Sequence, residues 1–131
     1  MENLTSKQTQ TKPEYEGDVN SWNEWLQLKK QGYSKVRGDF NCSENNITSL
    51  RGAPSFVGGS FNCSKNKLKS LEGAPRKVGG HFSCAENKLT SLKGAPILVG
   101  GHFWCFNNVE KFKKEDVEKV SNVKGKIVVK K

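Results

Sequence analysis

Gly59-Ser60-Phe61-Asn62-Cys63-Ser64-Lys65-Asn66-Lys67-Leu68-Lys69-Ser70-Leu71-Glu72-Gly73-Ala74-Pro75-Arg76-Lys77-Val78-Gly79 is one unit of a pattern that returns every 21 residues. Its cysteine recurs as Cys42, Cys84 and Cys105, its phenylalanine as Phe40, Phe82 and Phe103, and its first asparagine after the cysteine as Asn45, Asn87 and Asn108. Ile47 and Leu89 match Leu68, and Leu50 and Leu92 match Leu71. Gly-Ala-Pro returns at 52–54 and 94–96, and Val57 and Val99 precede Gly-Gly at 58–59 and 100–101. A unit this short cannot bury its own apolar side chains, but stacked coils can, because each covers its neighbour and the columns become ladders.

Within the unit, Phe-x-Cys has the period of a strand, with Phe and Cys on one face and their neighbours on the other. It predicts one short parallel strand per coil. The asparagine marks a sharp exit where a side-chain amide can pair with open backbone groups. Leu-x-x-Leu turns back inward, proline ends any regular ladder, and Gly-Gly is expected to supply positive φ for re-entry to the next strand.

Cys63-Ser64-Lys65-Asn66-Lys67-Leu68-Lys69-Ser70-Leu71 resembles the leucine-rich-repeat signature. The short unit with a Pro-x-x-Val/Leu back segment is similar to bacterial effector-type leucine-rich repeats, and the Gly-Ala-Pro-x-x-Val-Gly-Gly variant resembles small repeat proteins of tailed bacteriophages. The likeness covers 36–109. Phe and Cys stand in strand columns that are usually Leu, and the Val spacing is one residue longer, so curvature does not carry over. The fold it implies is a β-rich, leucine-rich-repeat-like solenoid of four short coils.

Such a stack needs capped ends. Residues 18–35 form the expected N-terminal cap, with a helix from Asp18 to Gln31, Ser21-Trp22-Asn23-Glu24 as a capping box and Gly32 as its stop. Val19, Trp22 and Leu26 would make its apolar stripe, with Trp25 and Leu28 beside it. Residues 1–17 are polar and Pro-interrupted, an expected disordered tail. After Asn108 the pattern breaks, with Glu110 and Lys113 where Leu would stand. Residues 110–131 are read as the second cap, a helix from Lys113 to Asn122 with Val117 and Val120 inward, then a strand through Ile127-Val128-Val129 edged by lysines.

The chain has 131 residues and a net charge of +9. Residues 1–35 are balanced, 36–109 carry nine bases against four acids, and 110–131 eight against four. A basic middle and tail favour an acidic partner, protein or nucleic acid. No run approaches the roughly 20 apolar residues of a membrane span, and Met1–Lys12 lacks a signal-peptide core, so a cytoplasmic protein with no membrane partner is expected. Four cysteines at a constant spacing lie in a row, not at the corners of a tetrahedron, and point the same way. They read as buried reduced thiols rather than a zinc site or disulfides.

The outward strand columns run Asp39, Ser60, His81, His102; then Asn41, Asn62, Ser83, Trp104; then Ser43, Ser64, Ala85, Phe106. His81, His102, Trp104 and Phe106 are the candidate partner-binding residues, the two aromatics either anchors or covered by the C-terminal segment. The paired histidines lack a nucleophile–base–orienter set, so no catalytic residue, metal or cofactor is assigned. Lys65, Lys67, Lys69, Arg76 and Lys77 form the candidate electrostatic patch on the convex flank, continued by Lys88 and Lys93 in the third repeat, solvated or footing for an anion. The expected function is a non-enzymatic protein-binding module. The bacteriophage resemblance implies an accessory protein that binds and inhibits a host protein, such as a CRISPR or other immune effector, in the host cytoplasm. Nucleic-acid binding through the basic flank is the alternative.

Overall fold

Each full coil contributes two short strands, not the single one expected from Phe-x-Cys. The structure is a computed structural model, described here over residues 14–131, so most of the tail expected over 1–17 lies outside the described residues. One five-stranded sheet consists of β1 (Lys35–Val36), β3 (Phe56–Val57), β5 (Lys77–Val78), β7 (Leu98–Val99) and β9 (Asn122–Val123). The other consists of β2 (Phe40–Asn41), β4 (Phe61–Asn62), β6 (Phe82–Ser83), β8 (Phe103–Trp104) and β10 (Ile127–Val128). Every pairing is parallel, and Phe40, Phe61, Phe82, Phe103 and Ile127 are in register. The result is a β-solenoid of about four turns. The first sheet escapes a period-2 reading because each strand turns only its valine inward, while the neighbouring position varies freely as Lys35, Phe56, Lys77, Leu98 and Asn122.

Between the sheets lie the ladders. Phe40 and Phe61 stack with ring centroids 5.0 Å apart, Phe61 and Phe82 at 5.8 Å, and Phe82 and Phe103 at 5.0 Å with a tilt. Cys42, Cys63, Cys84, Leu68, Leu71 and Leu89 are fully buried beside them. Asn66 and Asn87 are buried polar groups with full employment. The Asn66 amide nitrogen donates to the carbonyls of Cys42, Cys63 and Ser64, and its oxygen accepts from the amides of Asn45 and Ile47. One side chain thus closes its own turn and ties it to the coil before.

Gly-Gly does a different job from the one expected. The glycines at positive φ are those of Gly-Ala-Pro, Gly52, Gly73 and Gly94, together with Gly32. Gly79 and Gly100 are needed instead because coils pass too closely: a Cβ at Gly79 would run into the carbonyl oxygen of Gly58, and one at Gly100 into that of Gly79.

The ladders run past the sequence repeat at both ends. Tyr15 bridges Val36 and Val19 bridges Phe40, so a half-coil precedes the first strand. This corrects the helix expected from Asp18. α1 (Trp22–Lys30) starts later, and Val19 belongs to the phenylalanine ladder rather than to a helical stripe. Trp25 and Leu28 are its buried face and Leu26 is exposed, the reverse of the expected emphasis. Ser21 caps it as expected, accepting from the Glu24 amide, and Gly32 follows it at φ 102. Asn45 accepts from the Trp22 amide at 2.6 Å and the Trp25 indole donates to the Gly52 carbonyl at 2.8 Å, which seats the helix on the first coil.

At the other end the amide of Glu110, not of Val109, reaches the Leu89 carbonyl, a one-residue slip that ends the leucine columns. α2 (Lys114–Glu118) is shorter than the helix expected over 113–122. Val117 is buried but Val120 is exposed, because the chain has left the helix by then and enters β9. Val123, Gly125 and Ile127 then continue the valine, glycine and phenylalanine columns.

Candidate functional site

Six residues occupy one outward column beside the phenylalanine sheet: Asp18, Asp39, Ser60, His81, His102 and Lys126. Each of the first five lends a side-chain acceptor to the backbone amide of the next. Asp18 Oδ1 accepts from Asp39 at 2.8 Å, Asp39 Oδ1 from Ser60 at 2.8 Å, and Ser60 Oγ from His81 at 2.9 Å. His81 Nδ1 then accepts from the His102 amide at 2.9 Å and His102 Nδ1 from the Lys126 amide at 2.8 Å. The glycine before each recipient makes room for this. A Cβ at Gly59 would strike Asp39 Oδ1, one at Gly101 His81 Nδ1, and one at Gly125 His102 Nδ1. Acid, hydroxyl and imidazole are interchangeable here because the column requires only one acceptor at a fixed reach.

That bond fixes the chemistry of both imidazoles. An Nδ1 that accepts carries no proton, so the ring proton sits on Nε2. The rings stack at 4.7 Å and 9°. Trp104 lies 5.2 Å from His81 and 5.9 Å from His102, tilted against both. His81, His102 and Trp104 are all half-buried, and among the described residues nothing accepts from either Nε2–H or from the Trp104 indole N–H. With Nδ1 bonded to the backbone and Nε2 carrying the proton, the pair offers donors rather than a metal's lone-pair ligands.

Phe106 stands apart. It makes no ring contact with the other three among the described residues and is half-buried, next in its column after Ala85, which is 2% exposed. The C-terminal segment does not lie over Trp104; it extends the sheet beside it, with Val128 in register with Trp104. No protein-family model matches the chain, and no curated protein or solved structure matches it.

The basic residues divide into separate settings. Lys67 and Lys69 share a groove of about 750 Å³ with Lys88, Thr48, Thr90 and Val109, and none of these three lysines has a carboxylate partner among the described residues. Lys65 lies 3.6 Å from Glu44. Arg76 and Lys77 line a different groove with Lys35, Ser55, Phe56 and Glu14. Lys88, one unit after Lys67 in the repeat, thus joins the patch as expected, whereas Lys93 pairs with Glu72 at 3.2 Å.

The cysteines are inert by environment. Burial pushes the Cys42 thiol up to about 12 and, with help from the Asp116 charge, Cys105 up to about 11. Burial and then neighbouring thiols push Cys63 and Cys84 well above the ordinary range. Thiolate, the nucleophile and metal ligand, is suppressed at all four. Among the described residues no group of three or more His, Cys, Asp or Glu is placed to hold a metal ion, and no helix is long and apolar enough to cross a membrane.

Proposed function

We propose that the chain is a non-enzymatic protein-binding module whose partner rests on the outward face of the phenylalanine sheet at its C-terminal end. The observation that carries this reading is Trp104, half-buried against the stacked histidines with its N–H unpaired among the described residues, on a surface that is small and polar at Asn41, Asn62 and Ser83. A tryptophan held by neighbours on a rigid face is the kind of residue that dominates binding energy at interfaces, since little conformational freedom is lost when it is covered. The finer reading is a phage-type accessory protein that covers the working site of a host defence effector. The repeat resemblance of residues 36–109 supports that step.

The test is affinity capture from bacterial lysate, with and without nuclease, using wild type and Trp104→Ala. The reading expects a nuclease-resistant partner lost on the substitution, with the melting temperature held. A collapse of the melting temperature would place Trp104 in the core and end it.

A second reading is favoured by Lys67, Lys69 and Lys88 in one groove without a carboxylate: contact with a nucleic-acid backbone. Lysines act there as point charges, and affinity falls steeply as salt rises. A gel shift at low salt that weakens in Lys67→Ala/Lys88→Ala supports it, and no shift at any salt disposes of it.

A further inference from the structure

We propose that the His81–His102–Trp104 face receives a carboxylate, delivered by an acidic side chain of the bound protein; this rests on the protein-binding reading above. The juxtaposition behind it is a surface made only of donors. The two Nε2–H groups belong to parallel rings 4.7 Å apart, and the Trp104 ring, which carries a third N–H, borders both. Lys126 follows His102 in the same column and has no ion-pair partner among the described residues. The column's own carboxylates are at its opposite end: Asp39 is two coils from His81, about 10 Å at the spacing of adjacent strands.

Three N–H groups on one face need an acceptor with several lone pairs. A lone backbone carbonyl satisfies one or two donors, whereas a carboxylate has two oxygens and about four acceptor sites. The site leaves its donors with nothing to accept them except water, so an acidic side chain gains charge-assisted bonds without displacing an internal partner. The net charge of +9 adds attraction during encounter. A phosphate dianion fits less well, because two neutral rings and one lysine supply less positive charge than phosphate sites gather from arginines and lysines.

The test is NMR on full-length protein labelled with 15N at histidine and tryptophan. The probes are a blocked Gly-Glu-Gly peptide, its Gly-Gln-Gly counterpart and inorganic phosphate, at equal ionic strength. Both rings should show unprotonated Nδ1 and protonated Nε2. The Glu peptide should shift the two Nε2–H signals and the Trp104 N–H saturably in the millimolar range, with the Gln peptide at least about tenfold weaker. His81→Asn keeps an acceptor where Asp39 already uses Oδ1 and removes the Nε2–H, its own amide N–H ending one atom nearer the backbone; it should fold and weaken the Glu peptide several-fold. If that variant does not fold, Trp104→Phe removes the indole donor alone and should weaken it about threefold or more. The proposal is overturned by equal shifts from Glu and Gln peptides, by phosphate acting while the Glu peptide is silent, or by no shift at all. It also falls if Nδ1 proves protonated. Equal Glu and Gln shifts alongside a partner captured through Trp104 would refute the carboxylate and leave the protein-binding face standing.

Discussion

Replacing Asn87 with Ala should remove about 2–4 kcal/mol of stability, and the figure follows from which groups lose their last partner. The Asn87 amide nitrogen donates to the carbonyls of Cys63 at 3.0 Å, Cys84 at 3.2 Å and Ala85 at 3.3 Å, and its oxygen accepts from the Leu68 amide at 3.0 Å. After the substitution Cys63 keeps Asn66, Cys84 keeps Asn108, and Ala85 keeps the Lys65 amide. Only the Leu68 amide is orphaned, beside a fully buried leucine. One buried donor without a partner costs about 1–3 kcal/mol, and the void left by the shortened side chain adds about 1 more. Asn87→Asp should be worse at neutral pH, because a carboxylate would face three carbonyl oxygens in a buried site. Urea denaturation at 25 °C measures both. An alanine variant within about 0.5 kcal/mol of wild type, or an aspartate variant as stable as wild type, would refute the assignment of Asn87 as the turn's hydrogen-bond hub.

Gly79→Ala should cost about 3 kcal/mol, the upper end of overpacking, because its Cβ meets the backbone carbonyl of Gly58 and no side chain can move to accommodate it; Gly17→Ala, which meets only the Tyr15 ring, is the mild control in the same melt. The thiols give a pH dependence with a definite sign. With Cys42 raised to about 12 and Cys105 to about 11, the folded chain holds thiol protons that the unfolded chain releases from about pH 9, so stability should fall as pH climbs from about 9 to 11. Each thiol contributes a slope of about 1.4 kcal/mol per pH unit, and Cys63→Ala/Cys84→Ala should flatten the decline measured by denaturation across pH. Ser121 is 9% exposed and its hydroxyl has no partner among the described residues, so Ser121→Ala should raise the melting temperature, by the equivalent of about 1 kcal/mol.

What could be read from the chain was whatever recurs in phase. The Phe, Cys, Leu and Asn columns announce themselves because a ladder position tolerates little change, and the structure stacks Phe40, Phe61, Phe82 and Phe103 as that periodicity requires. The valine sheet was not legible, since a strand of two residues with one inward side chain leaves no alternation to detect. Half-coils at the ends were hidden for another reason. Tyr15, Val19, Val123 and Ile127 keep the shape of a column but not its residue type. A subtler marker was present: Gly17-Asp18, Gly38-Asp39, Gly59-Ser60, Gly80-His81, Gly101-His102 and Gly125-Lys126 all pair glycine with the next column residue. It traces the coils beyond the repeat at both ends, and in the structure both histidines of this column are bound through Nδ1 to the backbone of the following coil. In the candidate site, sequence placed His81, His102 and Trp104 on one face; their ring contacts and the donor-only character needed three dimensions. Alternation along the strand groups Phe106 with them, yet among the described residues it makes no ring contact with them.

The fold and the outward histidine column both require successive coils to lie in register, and contacts between equivalent rings test that most directly. In a NOESY spectrum of protein with labelled phenylalanine, cross-peaks should join the ring protons of Phe61 to those of Phe82, whose centroids are 5.8 Å apart, and Phe82 to Phe103 at 5.0 Å. Strong cross-peaks linking Phe40 directly to Phe103, or none between Phe61 and Phe82 in folded protein, would contradict the stacked-coil account.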